Sequence, residues 1–163
     1  MKQDDQILAW LNDAYMMEKS LEEVLLRHVM EFREFPEWRD RVQVHMEETA
    51  DHAAQVRKCI EELGGAPSMV KSLAGEVMGK VQGLSMAMFA DKTVKAALAE
   101  YASEHLEIAS YTALVAAAEE AGYSRIAEVC RGILAQEESM AEFIIERLPI
   151  LTRHHLQAQT TAA

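Results

Sequence analysis

EHLEIASY, at residues 104–111, is the stretch from which the fold can be worked out. It lies within a long segment that lacks proline and glycine, which is typical of an α-helix. Helical residues advance by about 100° each, so Glu104 lies on the same face as Ala97 and Tyr111. Glu107 lies beside them, one turn further on. Burying two ionised carboxylates on an apolar face is unfavourable unless cations or protons neutralise them. Other helices should therefore supply groups that meet these glutamates.

The composition of the chain limits its architecture and its partners. Its 163 residues are 50% hydrophobic, which suits one domain, expected at 1–149 and followed by a polar, mobile tail at 150–163. A net charge of −11 argues against nucleic acid and membrane surfaces as partners. No apolar run approaches the length of a membrane span, so a cytoplasmic location is expected. Cys59 and Cys130 lack the spacing of zinc ligands and are expected to be small core residues.

Four segments carry apolar residues at helical spacing and end at helix-terminating residues. The predicted helices cover about 4–34, 37–63, 91–121 and 124–148, with ends at Pro36, Gly64, Gly122 and Pro149. Short links make the first two helices antiparallel, and likewise the last two. Residues 68–90, with glycine at every fourth position from Gly75 to Gly83, are expected to form a long crossover that contains short helices. These features predict an all-α, ferritin-like four-helix bundle of two antiparallel hairpins.

Two further carboxylates fall on apolar helical faces. Glu18 lies at the centre of the apolar face of the first predicted helix, between Leu11 and Leu25. Glu137 lies on the apolar face of the fourth, whereas Glu138 is rotated about 100° away from it. Both Glu18 and Glu137 are therefore predicted to point into the bundle.

The second predicted helix adds imidazoles to these carboxylates. His45, Glu48 and His52 lie on its inner arc, whereas Asp51 points about 120° away and should be solvated. Each histidine is predicted to be either a metal ligand or a hydrogen-bond partner in the core. Arg41 is the basic residue close to these inner arcs.

Several other histidines and tyrosines are not predicted as ligands. His105 is rotated about 100° from Glu104 and should be exposed. His154 and His155 lie in the expected tail and should bind metal adventitiously at most. The tyrosines expected to pack mainly in the core are Tyr15, Tyr101 and Tyr111.

The inward polar residues lie at similar heights in the predicted bundle. Glu18 and Glu48 are 30 residues apart, and so are Glu107 and Glu137. Residues equally far from a short link face each other in an antiparallel hairpin, so Glu107 should lie level with Glu137. The equal separations predict a pseudo-twofold site at mid-bundle.

Five inward carboxylates with few basic residues nearby predict a centre for two divalent metal ions. The predicted ligands are Glu18, His45, Glu48, His52, Glu104, Glu107 and Glu137. Oxygen-rich ligation with one or two imidazoles suits iron or manganese, and such ligands on facing helices are the pattern of di-metal carboxylate bundles. Glu107 is expected to face both ions and Glu104 to serve one. The fourth helix has Met140 and Ala141 where a second ligand would stand.

Short segments of the chain also carry a family resemblance. They are YMMEKSL at 15–21, HMEET at 45–49, and EHLEIASY at 104–111 followed by AGY at 121–123. The chain resembles the YciF/YciE-like family of ferritin-like proteins, which is linked with bacterial stress responses and is similar in turn to rubrerythrin. The resemblance implies a homodimer, and it implies ligand roles for Glu18, Glu48, Glu104, Glu107 and Glu137. The chain departs from the family pattern at Met16 and Ala141.

Two classes of function follow from the predicted site and the resemblance. In the first, a di-iron or dimanganese centre reduces peroxide or O2. In the alternative, the chain is a non-catalytic stress or interaction protein with a degenerate or single-metal site. Iron storage in a cage is less favoured, because the predicted tail is polar and no fifth helix is expected.

Overall fold

The computed structural model describes residues 3–68 and 92–161, with side chains up to residue 158. Within these ranges the chain forms four α-helices and no strand. The helices are α1 (Gln3–Glu31), α2 (Pro36–Glu62), α3 (Lys92–Glu120) and α4 (Ser124–Thr161). The all-α prediction is confirmed, whereas the predicted crossover with its glycines lies outside the described residues. None of the helices in the described ranges has an apolar stretch of the length needed to cross a membrane.

Contacts between side chains show the relative directions of the helices. Glu18 meets Tyr111 and His28 meets Glu100, so α1 and α3 run antiparallel. The helices α2 and α4 are antiparallel for the same reason, as shown by the pairs Glu62–Arg125, His52–Gln136 and Glu37–Arg147. The hairpins α1–α2 and α3–α4 therefore pack side by side as a four-helix bundle.

Glycines with positive φ end two of the helices. Gly64 follows α2 with a φ of 74°, and Gly122 lies between α3 and α4 with a φ of 78°. Glycine tolerates this left-handed conformation because it has no Cβ. Beyond Gly122, the N–H of Tyr123 donates to the carbonyl oxygen of Ala118 at 2.8 Å and satisfies a group at the end of α3. The predicted link between α3 and α4 is thus confirmed.

The interior near Gly64 and Gly122 is apolar. We call this region the apolar end, and its buried side chains are Ile7, Leu11, Val56, Cys59, Ile60, Ala118, Ile126, Cys130 and Ile133. Both cysteines are buried members of the core, as predicted. Removing this apolar surface from water drives the four helices together.

The helix α4 is longer than predicted. An end just before Pro149 is wrong, because α4 continues to Thr161. Proline in a helix interior lacks an N–H donor and is unfavourable by about 3 kcal/mol. Beyond it, however, Leu151 is buried, and the ring of His154 packs edge-on against Phe35 with centroids 5.3 Å apart. Packing of the last turns against the bundle offsets the local effect of the proline. The domain boundary expected there stays a prediction, without a helix end to mark it.

Candidate metal centre

Six buried polar side chains form a layer partway along the bundle. They are Glu18 on α1, His45 and His52 on α2, Glu104 and Glu107 on α3, and Glu137 on α4. Each is at most 1% exposed, and we call the set the carboxylate layer. Six of the seven predicted ligands are therefore brought together in the core.

The ligand atoms of the layer fall into two groups, each able to hold a metal ion. Among the described residues, the first group is His45, Glu104, Glu107 and Glu137, and the second is Glu18, His52 and Glu137. Within each group the ligand atoms all lie within 4.8 Å of one another. The residue common to both groups is Glu137, whereas the sequence placed Glu107 in the shared position. One carboxylate is thus common to two neighbouring groups of possible ligand atoms.

His45 lies between carboxylates on three helices. Its Nε2 is 3.1 Å from Glu104 Oε1 and 3.6 Å from Glu137 Oε2, and its Nδ1 is 3.2 Å from Glu48 Oε2. Burial lowers the pKa of His45, but the charge of Glu104 and the hydrogen bonds with Glu104 and Glu48 outweigh this effect and raise the pKa well above its usual value. A proton on Nδ1 that is donated to Glu48 leaves Nε2 as the ligand atom of the first group.

Glu48 is the predicted ligand that lies outside both groups. Its side chain is 23% exposed, and its Oε2 accepts a hydrogen bond from the Arg41 guanidinium at 2.9 Å. The hydrogen bond with His45, followed by Arg41, lowers the pKa of Glu48 to about 2 against the opposing effect of burial. The structure thus places Glu48 as a charged acceptor beside His45, and its role as a ligand stays a prediction.

His52 occupies the equivalent position in the second group. Its Nδ1 is 2.8 Å from Glu137 Oε1 and 3.6 Å from Glu18 Oε2. Neither contact has the angles of a hydrogen bond, so Nδ1 has no hydrogen-bond partner in the described part of the chain. Its Nε2 is 2.7 Å from Gln136 Oε1, an oxygen that is not among the predicted site residues. Burial lowers the pKa of His52, but Glu137 and Glu18 raise it to about 10. Gln136 can accept the proton of Nε2 and so direct Nδ1 at the second group.

Tyr111 orients the carboxylate of Glu18. Its hydroxyl donates a hydrogen bond to Glu18 Oε1 inside the core. Burial and the Glu18 charge raise the pKa of Tyr111 well above its usual value, so the phenol stays a donor. Tyr111 was predicted as a core residue, and it is one, with a polar contact to the site in addition.

Many oxygens of the layer lack a hydrogen-bond partner. Within residues 3–68 and 92–161, these are both oxygens of Glu107, both of Glu137, and Oε2 of Glu18 and of Glu104. A buried polar atom without a partner is unfavourable by about 1–3 kcal/mol, and such atoms are rare in folded proteins. Iron or manganese ions would coordinate these oxygens together with the imidazole nitrogens that face them, Nε2 of His45 and Nδ1 of His52. The residues present therefore fit a two-ion centre.

Burial makes the α3 carboxyls hold their protons tightly. Burial raises the pKa of Glu104 to about 8, although His45 acts in the opposite direction. Burial, and then the charges of Glu137 and Glu18, raise the pKa of Glu107 well above its usual value. A metal ion that bound here would have to displace protons from these side chains.

A second buried polar pair lies between α1 and α3. The Nδ1 atom of His28 contacts Glu100 Oε2, and both residues are buried. Neither residue is among the predicted ligands. The signal for Glu100 is its position four residues before Glu104, which places both on one face of α3.

The side chains predicted to face solvent do so. Glu138, Asp51 and His105 are all exposed, and Glu138 lies next to the fully buried Glu137. At these positions the rotations of α2, α3 and α4 about their axes were thus predicted correctly from the apolar pattern.

Solved structures with the same fold include proteins from several bacteria. A protein of Xanthomonas campestris pv. campestris is 34% identical, with a TM-score of 0.84 over 98% of this chain and 99% of that chain. The E. coli stress protein YciF is 22% identical, with a TM-score of 0.81 over 94% and 98%. A bacterioferritin of Rhodobacter capsulatus, described with a metal-free dinuclear site and haem iron, is 16% identical, with a TM-score of 0.73 over 94% and 89%. The ferritin-like four-helix bundle predicted from the sequence is confirmed.

A family model matches almost the whole chain. It is the model of the domain of unknown function DUF892, and the match covers residues 2–157. Together with the YciF structure, it confirms the resemblance found in the sequence. The chain belongs to the DUF892 family.

Proposed function

We propose that this chain holds two iron or manganese ions in the carboxylate layer and uses them to reduce peroxide or O2. The proposal rests on the two buried groups of ligand atoms described above, which we call the donor groups because they would donate electron pairs to a metal ion. Both contain Glu137, and its oxygens have no hydrogen-bond partner among the described residues. Bound iron or manganese would supply Lewis acidity and redox capacity. The dinuclear site described for the R. capsulatus bacterioferritin supports the proposal through the shared fold.

The surrounding side chains prepare the layer for this chemistry. Glu48 and Gln136 each meet the outer ring nitrogen of a histidine, and this leaves the inner nitrogen facing a donor group. Tyr111 holds one oxygen of Glu18, so the other oxygen faces the second group. The buried setting keeps bulk water away and strengthens each electrostatic interaction.

Metal content and peroxide consumption test the proposal together. Metal-free protein is reconstituted anaerobically with Fe2+ or Mn2+, freed of excess metal, analysed by inductively coupled plasma mass spectrometry, and then mixed with peroxide. We expect about two ions per chain and faster loss of peroxide than with the metal-free protein. A chain that retains no ion after reconstitution would refute the proposal.

A non-catalytic stress or interaction protein with a degenerate or single-metal site is the second candidate. His45 and His52 already lie against carboxylates, and their raised pKa values allow them to neutralise part of the negative charge. Met140 and Ala141 provide no carboxylate or imidazole one turn beyond Glu137. The description of YciF as a stress protein is compatible with either candidate. One ion or none per chain, without peroxide consumption, would favour this second function.

The assembly state and location are part of the same proposal. The chain is proposed to be a cytoplasmic homodimer, which light scattering coupled to size-exclusion chromatography and cell fractionation would test. A particle of cage size would instead support iron storage.

A further inference from the structure

The His28–Glu100 pair offers the same atoms as the carboxylate layer but lies outside both donor groups. The side chain of His28 is 9% exposed and that of Glu100 is 2% exposed. One oxygen of Glu100 contacts the imidazole, whereas Oε1 has no hydrogen-bond partner in the part of the chain that the structure describes. A structural ion pair does not account for this second oxygen.

Glu100 continues the line of carboxylates on α3. Glu100, Glu104 and Glu107 follow one another at intervals of four and three residues, so neighbours in the line are about 5–6 Å apart at Cβ. Each has at least one buried oxygen without a hydrogen-bond partner among the described residues. Burial is the main cause of the raised pKa of Glu104 and of Glu107, and the charge of Glu100 adds to it in both cases. The charge of Glu100 therefore acts on both of the layer carboxyls beside it, and we call Glu100, Glu104 and Glu107 the carboxylate file.

His28 is the most exposed residue next to the file. Its side chain is 9% exposed, whereas Glu100, Glu104 and Glu107 are each 1% exposed. A cation that moves along such a file exchanges one oxygen ligand for the next without crossing an apolar surface. The approach to the layer past Glu48 is more exposed, but the Glu48 carboxylate is already paired with the Arg41 guanidinium at 2.9 Å, so this ion pair offers an incoming cation little attraction.

We propose that His28 and Glu100 form an accessory binding position for a divalent cation, from which the ion passes to Glu104 in the carboxylate layer. This inference rests on the proposed function, because the file has a destination only if the layer binds metal. Loss of the accessory position should slow the loading of metal and leave the number of ions held at equilibrium unchanged. Both donor groups remain intact in that case.

Glu100→Gln tests the inference, because it removes the charge and almost preserves the volume of the side chain. Co2+ alone is mixed with metal-free protein, loading is followed by its visible absorption in a stopped-flow instrument, and the final stoichiometry is measured by titration. Electrostatic attraction raises association rates by about 10–1,000-fold. We therefore expect Glu100→Gln to load at least about tenfold more slowly than the wild type, with the same final content of Co2+.

Glu120→Gln is the matched control. It removes an exposed charge from the same helix, about 24 Å from Glu104 along the axis, and should load like the wild type. A double variant, His28→Leu with Glu100→Leu, replaces the whole pair by apolar side chains and avoids an unpaired buried charge. It should load as slowly as Glu100→Gln and show the helical circular dichroism of the wild type.

The outcomes separate this inference from the proposed function. Wild-type loading rates in Glu100→Gln and in the double variant would overturn the accessory position while the two-ion layer stands. Equal slowing by Glu120→Gln would also overturn it, because net charge alone would then explain the effect. A wild-type chain that holds no Co2+ at equilibrium, and no Fe2+ or Mn2+ after reconstitution, would overturn the proposed function, and this inference with it.

Discussion

The apolar end and the carboxylate layer are equally buried, yet they differ in whether they contain buried polar atoms without hydrogen-bond partners. Leu11 and Val56 at the apolar end are enclosed by hydrophobic side chains and have no polar side-chain atom to satisfy. Glu107 and Glu137 in the layer are as deeply buried, but within the described ranges their four oxygens have no hydrogen-bond partner. The same four helices build both regions. Burial therefore stabilises the fold in one region and leaves carboxylate oxygens without hydrogen-bond partners, within the described ranges, in the other.

This contrast implies that the apolar end stabilises the fold and that the carboxylate layer serves a function. Apolar burial contributes about 25 cal/mol for each Å² removed from water, and the apolar end supplies it without any polar penalty. The carboxylate layer opposes folding in the absence of cations, because each carboxylate must give up water or keep a proton. A protein tolerates such a local conflict where the residues serve a function.

The largest effect is expected from Glu137→Ala. Glu137 belongs to both donor groups, so its truncation should abolish stoichiometric binding of both ions. Glu107→Ala and Glu104→Ala each remove one member of the first group only, and each should leave about one ion per chain in the second group. The sequence placed Glu107, not Glu137, in the shared position, so metal analysis of these variants decides between the two.

Glu138→Ala is the control for this comparison. It truncates an exposed glutamate of the same helix, next to Glu137, and should keep both ions. Two ions retained by Glu137→Ala would show that this carboxylate is not a ligand. Loss of both ions in Glu107→Ala, with one kept in Glu137→Ala, would restore the assignment made from the sequence.

The apolar end should respond to truncation through stability alone. Leu11→Ala removes a fully buried side chain and should lower the free energy of unfolding by about 2–5 kcal/mol, with or without metal. Leu26→Ala, on the same helix but 58% exposed, should change it by less than about 0.5 kcal/mol. Urea denaturation measures both variants. A Leu11→Ala effect that depends on bound metal would show that the two regions are not independent.

The metal-free protein should lose stability as the pH rises from about 5 to 9. The pKa of Glu104 is about 8 in the folded state and 4.5 in the unfolded reference, so the folded state binds the extra proton between these values. The pKa of His52 is about 10 when folded and 6.5 when unfolded, so its contribution is full below 6.5 and is lost as the pH rises toward 10. Each extra proton lowers the free energy of unfolding by up to about 1.4 kcal/mol per pH unit.

Urea denaturation at several pH values, in a chelator and in Mn2+, measures this dependence. Glu104→Gln should flatten the decline below pH 8, because it removes one of the protons involved. In Mn2+ the decline should be weaker, since metal binding tightens as the ligands lose their protons. A metal-free protein whose stability is constant or rises over this range would contradict the burial of ionisable groups in the layer.

The fold was predictable because its signals are local. Gly122 ends α3 through its own conformation, and the short link after it fixes the direction of α4. The apolar pattern separates Glu137 from Glu138, since one residue corresponds to a rotation of about 100°. The helix end predicted at Pro149 is wrong because packing of later residues, including the buried Leu151, overcomes the local effect of the proline. This packing depends on tertiary contacts, which a local sequence pattern does not show.

The details of the site were less predictable because they depend on distances between helices. Glu48 shares an arc with His45, but its distance from the bundle axis and its contact with Arg41 appear only once the helices are packed. Glu107 and Glu137 lie level in the hairpin, so the sequence does not distinguish them. The packed side chains show that Glu137 belongs to both groups of ligand atoms and Glu107 to one. The angular pattern therefore predicts which residues face inward, and the packing decides what each one contacts.

The smallest effect is expected from Glu48→Gln. This variant tests whether Glu48 is a metal ligand or only a hydrogen-bond partner of His45. If Glu48 only accepts the proton of His45 Nδ1, the amide oxygen of glutamine can still do so, although without the negative charge. Loss of such an outer contact weakens metal binding by about 10–100-fold, and the conservative change should lie near tenfold. Titration with Mn2+ should then show two ions per chain, with weaker affinity for one of them.

Glu47→Gln removes a neighbouring exposed charge and should leave both affinities unchanged, which separates the contact with His45 from a general loss of negative charge. Loss of one ion in Glu48→Gln would identify Glu48 as a ligand, as the sequence predicted, and would require its side chain to turn inward from Arg41. An unchanged affinity would show that Glu48 does not hold His45 in place. In that case the tautomer of His45 must be set by Glu104 and Glu137, the carboxylates that face its other ring nitrogen.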